Sequence, residues 1–332
     1  MKLGRNFTNT FVLDKLSKED QKKVLNGEYD LFSMNALGLV PFKEDVLFQI
    51  KLARELGLDH IELDADVPNP YPDFSGEERG RVREEAKKAG ISLSLHLSYS
   101  NVGSSVCSLQ ELDRKKAVEL QKVYIDFASD IGARYLVMHP GSAPFYMVSE
   151  LYLRKLKEAL VKTLVELGDY AQERGLLLHL ENNVAFDNIF VEPEDCIEVV
   201  EEARRKGIEV YFNFDIGHWF TRADCGKDIP DEPERIMERI PKELVKELHL
   251  NDYVSGKKTF HPPLHLESGS LKKENLMRYF EIVKKLEPEL IVLETAYKYL
   301  DQVKNRKKIL EEETVYIKGL LRSGGLAGIR RD

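Results

Sequence analysis

From about residue 31 the chain alternates two kinds of stretch. Short apolar runs of strand length, rich in Val, Ile, Leu and aromatics, give way to a polar turn and then to a longer amphipathic segment. The runs read LFSMNAL (31–37), HIELDAD (60–66), ISLSLHL (91–97), RYLVMHP (134–140), LLLHLEN (176–182), IEVYFNFD (208–215), VKELHLN (245–251) and LIVLET (290–295). Between them FKEDVLFQIKLARELG (42–57), LQELDRKKAVELQKVYIDFASDIG (109–132) and VSELYLRKLKEALVKTLVELGDYAQERG (148–175) repeat apolar residues at helical spacing. Each of these ends on a glycine placed as a C-terminal cap. Such alternation predicts a parallel sheet, and eight units in 332 residues predict a closed (β/α)8 TIM barrel over residues 31–321. The rival, an open doubly wound sheet, lacks its GxGxxG fingerprint. Residues 1–30 are expected to form an extension packed on the barrel, and RSGGLAGIRRD (322–332) a mobile, solvated tail.

Metal-type side chains fall at the ends of the runs: His96 after SLSL, His139 after YLVM, Glu181 after LLLHL, Asp215 after FNF, His249 after KEL and Glu294 after IVL. A barrel gathers the C-terminal ends of its strands around one mouth, where active sites form. A single strand-end histidine is more often hydrogen-bonded packing than a ligand, but six such residues at one level reverse that reading. Burying so many ionisable groups without a cation is costly. A mixed nitrogen and oxygen set suits Zn²⁺, Mn²⁺, Co²⁺ or Fe²⁺. In YFNFDIGHWF (211–220), Asp215 stands three residues before His218, so in a continuing strand the two would point to opposite faces. The strand is therefore predicted to end at Asp215, with Gly217 turning the chain so that His218 returns over the mouth and Trp219 lines the pocket. His60 opens its run and belongs at the opposite end of the barrel; His179 sits one layer below Glu181 as a structural or supporting residue.

At these residues the chain resembles the xylose isomerase-like barrel superfamily, which includes sugar phosphate isomerases and epimerases and endonuclease IV-like proteins. The matching segments HLSY (96–99), HPGS (139–142), LEN (180–182), FDIGH (214–218), HLND (249–252) and LET (293–295) follow one another in order through the barrel. In epimerase-like members, the resemblance implies, the metal ligands match Glu181, Asp215, His249 and Glu294, and the two glutamates remove and return a proton. In endonuclease IV-like members, residues matching His96, His139 and His218 join that core to hold several zinc ions. After the seventh run the family pattern is Asp-x-His followed by Gly-x-Gly. Here GKKTFHPPLHLESGSL (256–271) lacks the aspartate and keeps only Gly269 of the glycine pair. His261 and His265 both remain candidates for that position, with His265 and His218 taken as substrate contacts.

Composition then narrows the partners. A net charge of −8 disfavours a protein that coats nucleic acid. The segments VPNPYPDFSG (67–76) and SYSNVGSSV (98–106), which follow the second and third runs, are neutral or acidic. Their aromatics Tyr71, Phe74 and Tyr99 could stack on a sugar or pack a lid. Cys107, Cys196 and Cys225 are odd in number and scattered, which suits a reducing cytoplasm, and no run approaches a membrane span. The expected function is a divalent-metal-dependent sugar or sugar-phosphate isomerase or epimerase holding one to three ions of Zn, Mn or Co. It would work through a metal-stabilised enediolate, with Glu181 and Glu294 as the acid–base pair. The alternative is an endonuclease IV-like multi-zinc phosphodiesterase acting at abasic sites, the one case in which DNA is a partner. A catalytically silent binding barrel is disfavoured by the complete glutamate pair, and homo-oligomerisation is left open.

Overall fold

A computed structural model describes residues 1–144 and 149–323, so most of the expected tail and the first residue of the helix predicted over 148–175 lie outside the described residues. Eight parallel strands form the barrel: β1 (Lys2–Asn6), β2 (His60–Asp64), β3 (Ser92–His96), β4 (Tyr135–Met138), β5 (Leu177–Glu181), β6 (Val210–Asn213), β7 (Glu247–His249) and β10 (Leu290–Leu293). The intervening β8 (Tyr253–Val254) and β9 (Thr259–Phe260) make a small antiparallel hairpin. The helices are α1 (Lys18–Leu25), α2 (Leu31–Glu44), α3 (Val46–Glu55), α4 (Gly76–Ala89), α5 (Glu111–Asp130), α6 (Glu150–Gln172), α7 (Pro193–Arg205), α8 (Ile216–Phe220), α9 (Lys273–Leu286), α10 (Leu300–Lys304) and α11 (Arg306–Ser323). Among the described residues no helix is long and apolar enough to cross a membrane.

Seven of the eight predicted strands are present within a few residues of their expected bounds; the first is not. LFSMNAL opens helix α2, because Asp30 accepts a hydrogen bond from the Ser33 amide as an N-cap and Met34, Gly38 and Phe42 share one buried helical face. The first barrel strand is instead β1, which pairs with β10 on one side and β2 on the other. Residues 1–30 are thus not an extension outside the repeat. Sequence reasoning misses β1 because its five residues include Lys2, Arg5 and Asn6, which do not read as an apolar run. The charge of Arg5 is met from afar: its Nη1 lies 2.9 Å from Glu313 Oε2 on α11 and donates to Thr295 Oγ1 at 2.8 Å, all three buried. Glu313 also accepts from the Leu264 amide and the Thr295 hydroxyl, so one carboxylate joins both chain ends to the barrel wall.

The ladder runs β6-β5-β4-β3-β2-β1-β10-β7. Between β6 and β7 the ring is completed by a lone parallel bridge, Asp215 to His249, and by Asn213 Oδ1, which accepts from the His249 amide at 2.8 Å. Inward-facing side chains are unusually polar. Near the N-terminal end of the barrel His60, Tyr135, His179 and Tyr211 stack edge to face or ring on ring, with neighbouring centroids 6.1, 5.7 and 5.5 Å apart. Glu62 and Glu247 form the next layer, fully buried beneath His249 and the mouth.

Because the Arg5–Glu313 pair is fully buried, Glu313→Ala should cost about 3–5 kcal/mol in denaturant unfolding. The paired change Arg5→Met with Glu313→Leu should recover most of that loss. A single variant as stable as the parent would show that β1 is not held in this way.

Candidate metal centre

Each strand-end residue is delivered to the mouth by a local device. β6 stops at Asn213, and Asp215 caps the short helix α8: its Oδ1 accepts from the His218 amide at 2.9 Å. This single helical turn, not a glycine turn, brings His218 back over the mouth. Gly217 is required for space instead, since a Cβ there would sit 2.9 Å from the Asn251 Cβ. Three asparagines then bind adjacent strand ends together. Asn182 accepts from the Asp215 amide at 2.8 Å and donates to its carbonyl at 3.0 Å. Asn213 takes the His249 amide, and Asn251 takes the Glu294 amide at 2.9 Å while donating to the carboxylates of Asp215 and Glu294.

Glu181 stands at the centre, wholly buried. Its Oε2 lies 3.1 Å from His96 Nε2 and 3.3 Å from His139 Nε2, and its Oε1 lies 3.1 Å from His249 Nδ1 and 3.3 Å from His218 Nδ1. Ligand-type atoms of Glu181, Asp215, His249 and Glu294 fall within 4.8 Å of one another; so do those of His96, His139 and Glu181, and those of Asp215, His218 and His261. Among the described residues no Lys or Arg pairs with Glu181, Asp215 or Glu294, so a cation is the natural complement of this donor set. Four imidazoles are oriented for it from behind. The Nδ1 of His96, His218 and His261 faces the carbonyls of Leu97, Asn182 and Glu294 at 3.0, 3.1 and 3.1 Å, and that of His139 faces Asn183 Oδ1 at 3.3 Å. Each is thereby left with Nε2 free to ligate. The residues present fit one or more divalent ions.

Electrostatics agree with the geometry. Burial would lower His96, but its hydrogen bond to Glu181 and the surrounding carboxylates raise it to about 10. His249 is likewise raised well above the ordinary histidine value, burial being outweighed by Glu181, Glu294 and Glu62. Glu181 is held well below the usual carboxylate range; burial opposes this, and His249 and His139 overcome it. His261 is lowered, chiefly by burial. His179 is pushed down to about 4 by burial, and its Nδ1 faces the Leu136 carbonyl, beneath the site as expected.

Above the core opens a cavity of about 550 Å³, lined among others by Asn6, Asn9, Tyr99, Ser100, Ser104, Ser142, Asn183, Asp187, His261, Glu294 and Lys298. Two predicted substrate contacts do not reach it. Trp219 is buried away from the mouth, with its Nε1 donating to Glu192 at 3.0 Å and Arg222 over its ring. His265 lies in the turn Leu264–Leu266 and faces Glu312 of α11 at 3.7 Å. The seventh-strand position is filled by His261, which follows the β8–β9 hairpin and stacks on His218 with centroids 5.4 Å apart. Sequence reasoning also missed Glu62, hidden inside HIELDAD, whose alternation places it between two other inward-facing residues.

A barrel mouth of this kind defines the class: a (β/α)8 barrel with a histidine–carboxylate centre able to hold metal. More particularly, the chain belongs to the xylose isomerase-like TIM barrel family, whose sequence pattern matches residues 50–320. An uncharacterised protein of Methanocaldococcus jannaschii, MJ1311, is 24% identical over 200 residues, 59% of this chain and only 60% of that protein's length. The second such relative, MJ1614 of the same organism, is covered over just 52% of its length. A probable endonuclease 4 of Thermotoga petrophila is 24% identical over 240 residues, 70% of this chain and 79% of its own. Among solved structures, D-psicose 3-epimerase of Clostridium cellulolyticum H10, determined with D-tagatose, superposes with a TM-score of 0.65. It shares 14% identity over 97% of this chain and 99% of that one.

Because His96 is held protonated at neutral pH in the metal-free protein, a divalent ion must displace its proton. Zinc affinity should therefore rise with pH up to about 10, and calorimetric titrations in buffers of different ionisation enthalpy should show proton release at neutral pH. A binding enthalpy independent of buffer would contradict this placement of charge.

Proposed function

We propose that the protein is a divalent-metal-dependent sugar or sugar-phosphate isomerase or epimerase. The observation that carries this reading is the joining of the Glu181, Asp215, His249 and Glu294 core to a small cavity walled by amides and hydroxyls. Asn6, Asn9 and Ser142, with the Ser100 and Ser104 hydroxyls as acceptors, offer the polar partners that a polyhydroxylated molecule requires. A bound divalent ion would supply polarisation of a carbonyl and its neighbouring hydroxyl. Glu294, which borders the cavity with its side chain 13% exposed, accepts the proton leaving the adjacent carbon. Glu181, wholly buried beneath the cavity in the same cluster, would serve as its partner in returning a proton. Asn251 holds Glu294 in place through both its backbone amide and its carboxylate. His218 and His261 border the same cavity and would contact substrate oxygens. The epimerase structure with its ketose supports this reading through the fold it shares.

One specific observation favours a second reading. Each oxygen of Glu181 faces two imidazoles, the arrangement of a carboxylate that bridges two ions. With the His218–His261–Asp215 group beside it, the mouth could hold the multi-ion cluster that phosphodiester hydrolysis at abasic sites needs. A relative named probable endonuclease 4 points the same way. Against it, Asp64 and Asp187 border the cavity and Lys298 is the one lysine or arginine among its described lining residues, a poor match to a phosphate backbone.

A panel of ketoses, aldoses and their phosphates, assayed with Zn²⁺, Mn²⁺ and Co²⁺ in heavy water, should reveal deuterium incorporation next to the carbonyl. Glu294→Gln should lower that rate by about 10²–10⁴-fold, whereas His139→Ala should retain most of it. Nicking of abasic duplex DNA without any sugar exchange, abolished by His139→Ala, would replace this reading with the second.

A further inference from the structure

Below the mouth the barrel interior holds a second group of buried acids that the chemistry above does not use. Glu62 of β2 and Glu247 of β7 are both fully buried. Glu62 Oε2 lies 3.4 Å from His249 Nε2 and accepts from Ser94 Oγ at 3.3 Å; Ser94 in turn is 2.8 Å from His60 Nε2. His249 differs from the other four imidazoles of the centre in which nitrogen faces which way. His96, His139, His218 and His261 rest Nδ1 on a carbonyl or amide oxygen. His218 Nδ1 also lies 3.3 Å from Glu181, but among these described residues only His249 has no carbonyl or amide oxygen on Nδ1: that nitrogen faces Glu181 at 3.1 Å and Glu294 at 3.5 Å, and its Nε2 points down into the barrel. There, among the described residues, Nε2 makes no hydrogen bond with ordinary geometry, and the carboxylate of Glu62 is the acceptor beside it.

We propose that Glu62 is a positioning residue for His249: it accepts the Nε2 proton whenever Nδ1 ligates an ion, and so fixes the tautomer and ring angle of that ligand. The inference rests on the mouth being a metal centre and is independent of which reaction the centre performs. A neutral imidazole that binds metal through one nitrogen must carry its proton on the other, and a carboxylate there fixes the ring and raises its basicity. The chain places an acid at this one back position, where water is excluded and no backbone carbonyl stands in. Glu247 is the built-in control. It is equally buried, but its nearest imidazole contact is His179 Nδ1 at 3.8 Å, and its oxygens have no hydrogen-bond partner.

The test separates positioning from packing. Glu62→Leu replaces a buried carboxyl with an apolar side chain of similar size, so a purely structural role predicts a metal-free protein at least as stable as the parent. Positioning predicts that the same variant, still folded by circular dichroism, loses about 10–100-fold in Zn²⁺ affinity measured by chelator competition. Its Co²⁺ complex should also show an altered visible spectrum. Glu62→Gln, whose carbonyl can still accept the proton, should recover most of the affinity, and Glu247→Gln should bind as the parent does. Should Glu62→Leu not fold, Glu62→Ala replaces it with the same expectation. Unchanged zinc affinity and cobalt spectrum in folded Glu62→Leu or Glu62→Ala, or an equal loss in Glu247→Gln, would overturn the proposal. Sugar-exchange activity enters none of these readouts, so their failure is distinct from failure of the proposed reaction.

Discussion

Three carboxylates, two of them fully buried, with no lysine or arginine paired to them among the described residues, set the terms for the rest of this molecule. Glu181, Asp215 and Glu294 converge at the barrel mouth with Glu181 and Asp215 fully buried, and their charge-bearing neighbours are histidines. Charges of one sign in a low-dielectric site repel one another and lose hydration. The protein offsets that cost partly through His96, His218 and His249, all raised, His96 to about 10, and a bound ion would take the place of those protons. Stability and metal loading are coupled through the same few atoms.

Holding that constellation takes more than strand termini. Where β6 and β7 fail to form a full ladder, the Asn213 side chain stands in for a main-chain acceptor, and Asn182 and Asn251 do the same for Asp215 and Glu294. The backbone amides of Asp215, His249 and Glu294 are thereby tied to side chains on the neighbouring strand, a stiffer arrangement than loop-borne residues would give. The same economy explains Gly217, whose missing Cβ lets α8 approach Asn251 closely enough for His218 to border the cavity.

Much of this was legible in the chain, and the exceptions have physical causes. The alternation of apolar runs with amphipathic stretches reveals the barrel because buried parallel strands and their covering helices have distinct periods. The strand-end acids and histidines reveal the site because a barrel gathers one end of every strand. β1 was hidden because Arg5 reads as a surface residue until Glu313, far away in the chain, is seen to neutralise it. LFSMNAL deceived because a short apolar run carries no period of its own, and the Asp30 cap decided the matter. Trp219 and His265 were misplaced for a related reason: proximity in sequence to a ligand says nothing about which way a helical turn or a loop points the next side chain. Glu62 escaped because a lone acid inside a strand looks like solvent-facing alternation, and only closure of the barrel shows that it points inward.

The chain is like a ketose epimerase in fold and a probable endonuclease 4 in sequence, and under either proposed function an ion would sit among Glu181, Asp215, His249 and Glu294. The direct measurement is anomalous diffraction at the zinc absorption edge from crystals of zinc-loaded protein. A strong peak inside that quartet, within bonding distance of His249 Nδ1, is the result this account predicts, and a further peak beside His96 and His139 would make Glu181 a bridge. A fully loaded crystal with no anomalous peak inside the barrel mouth would contradict it.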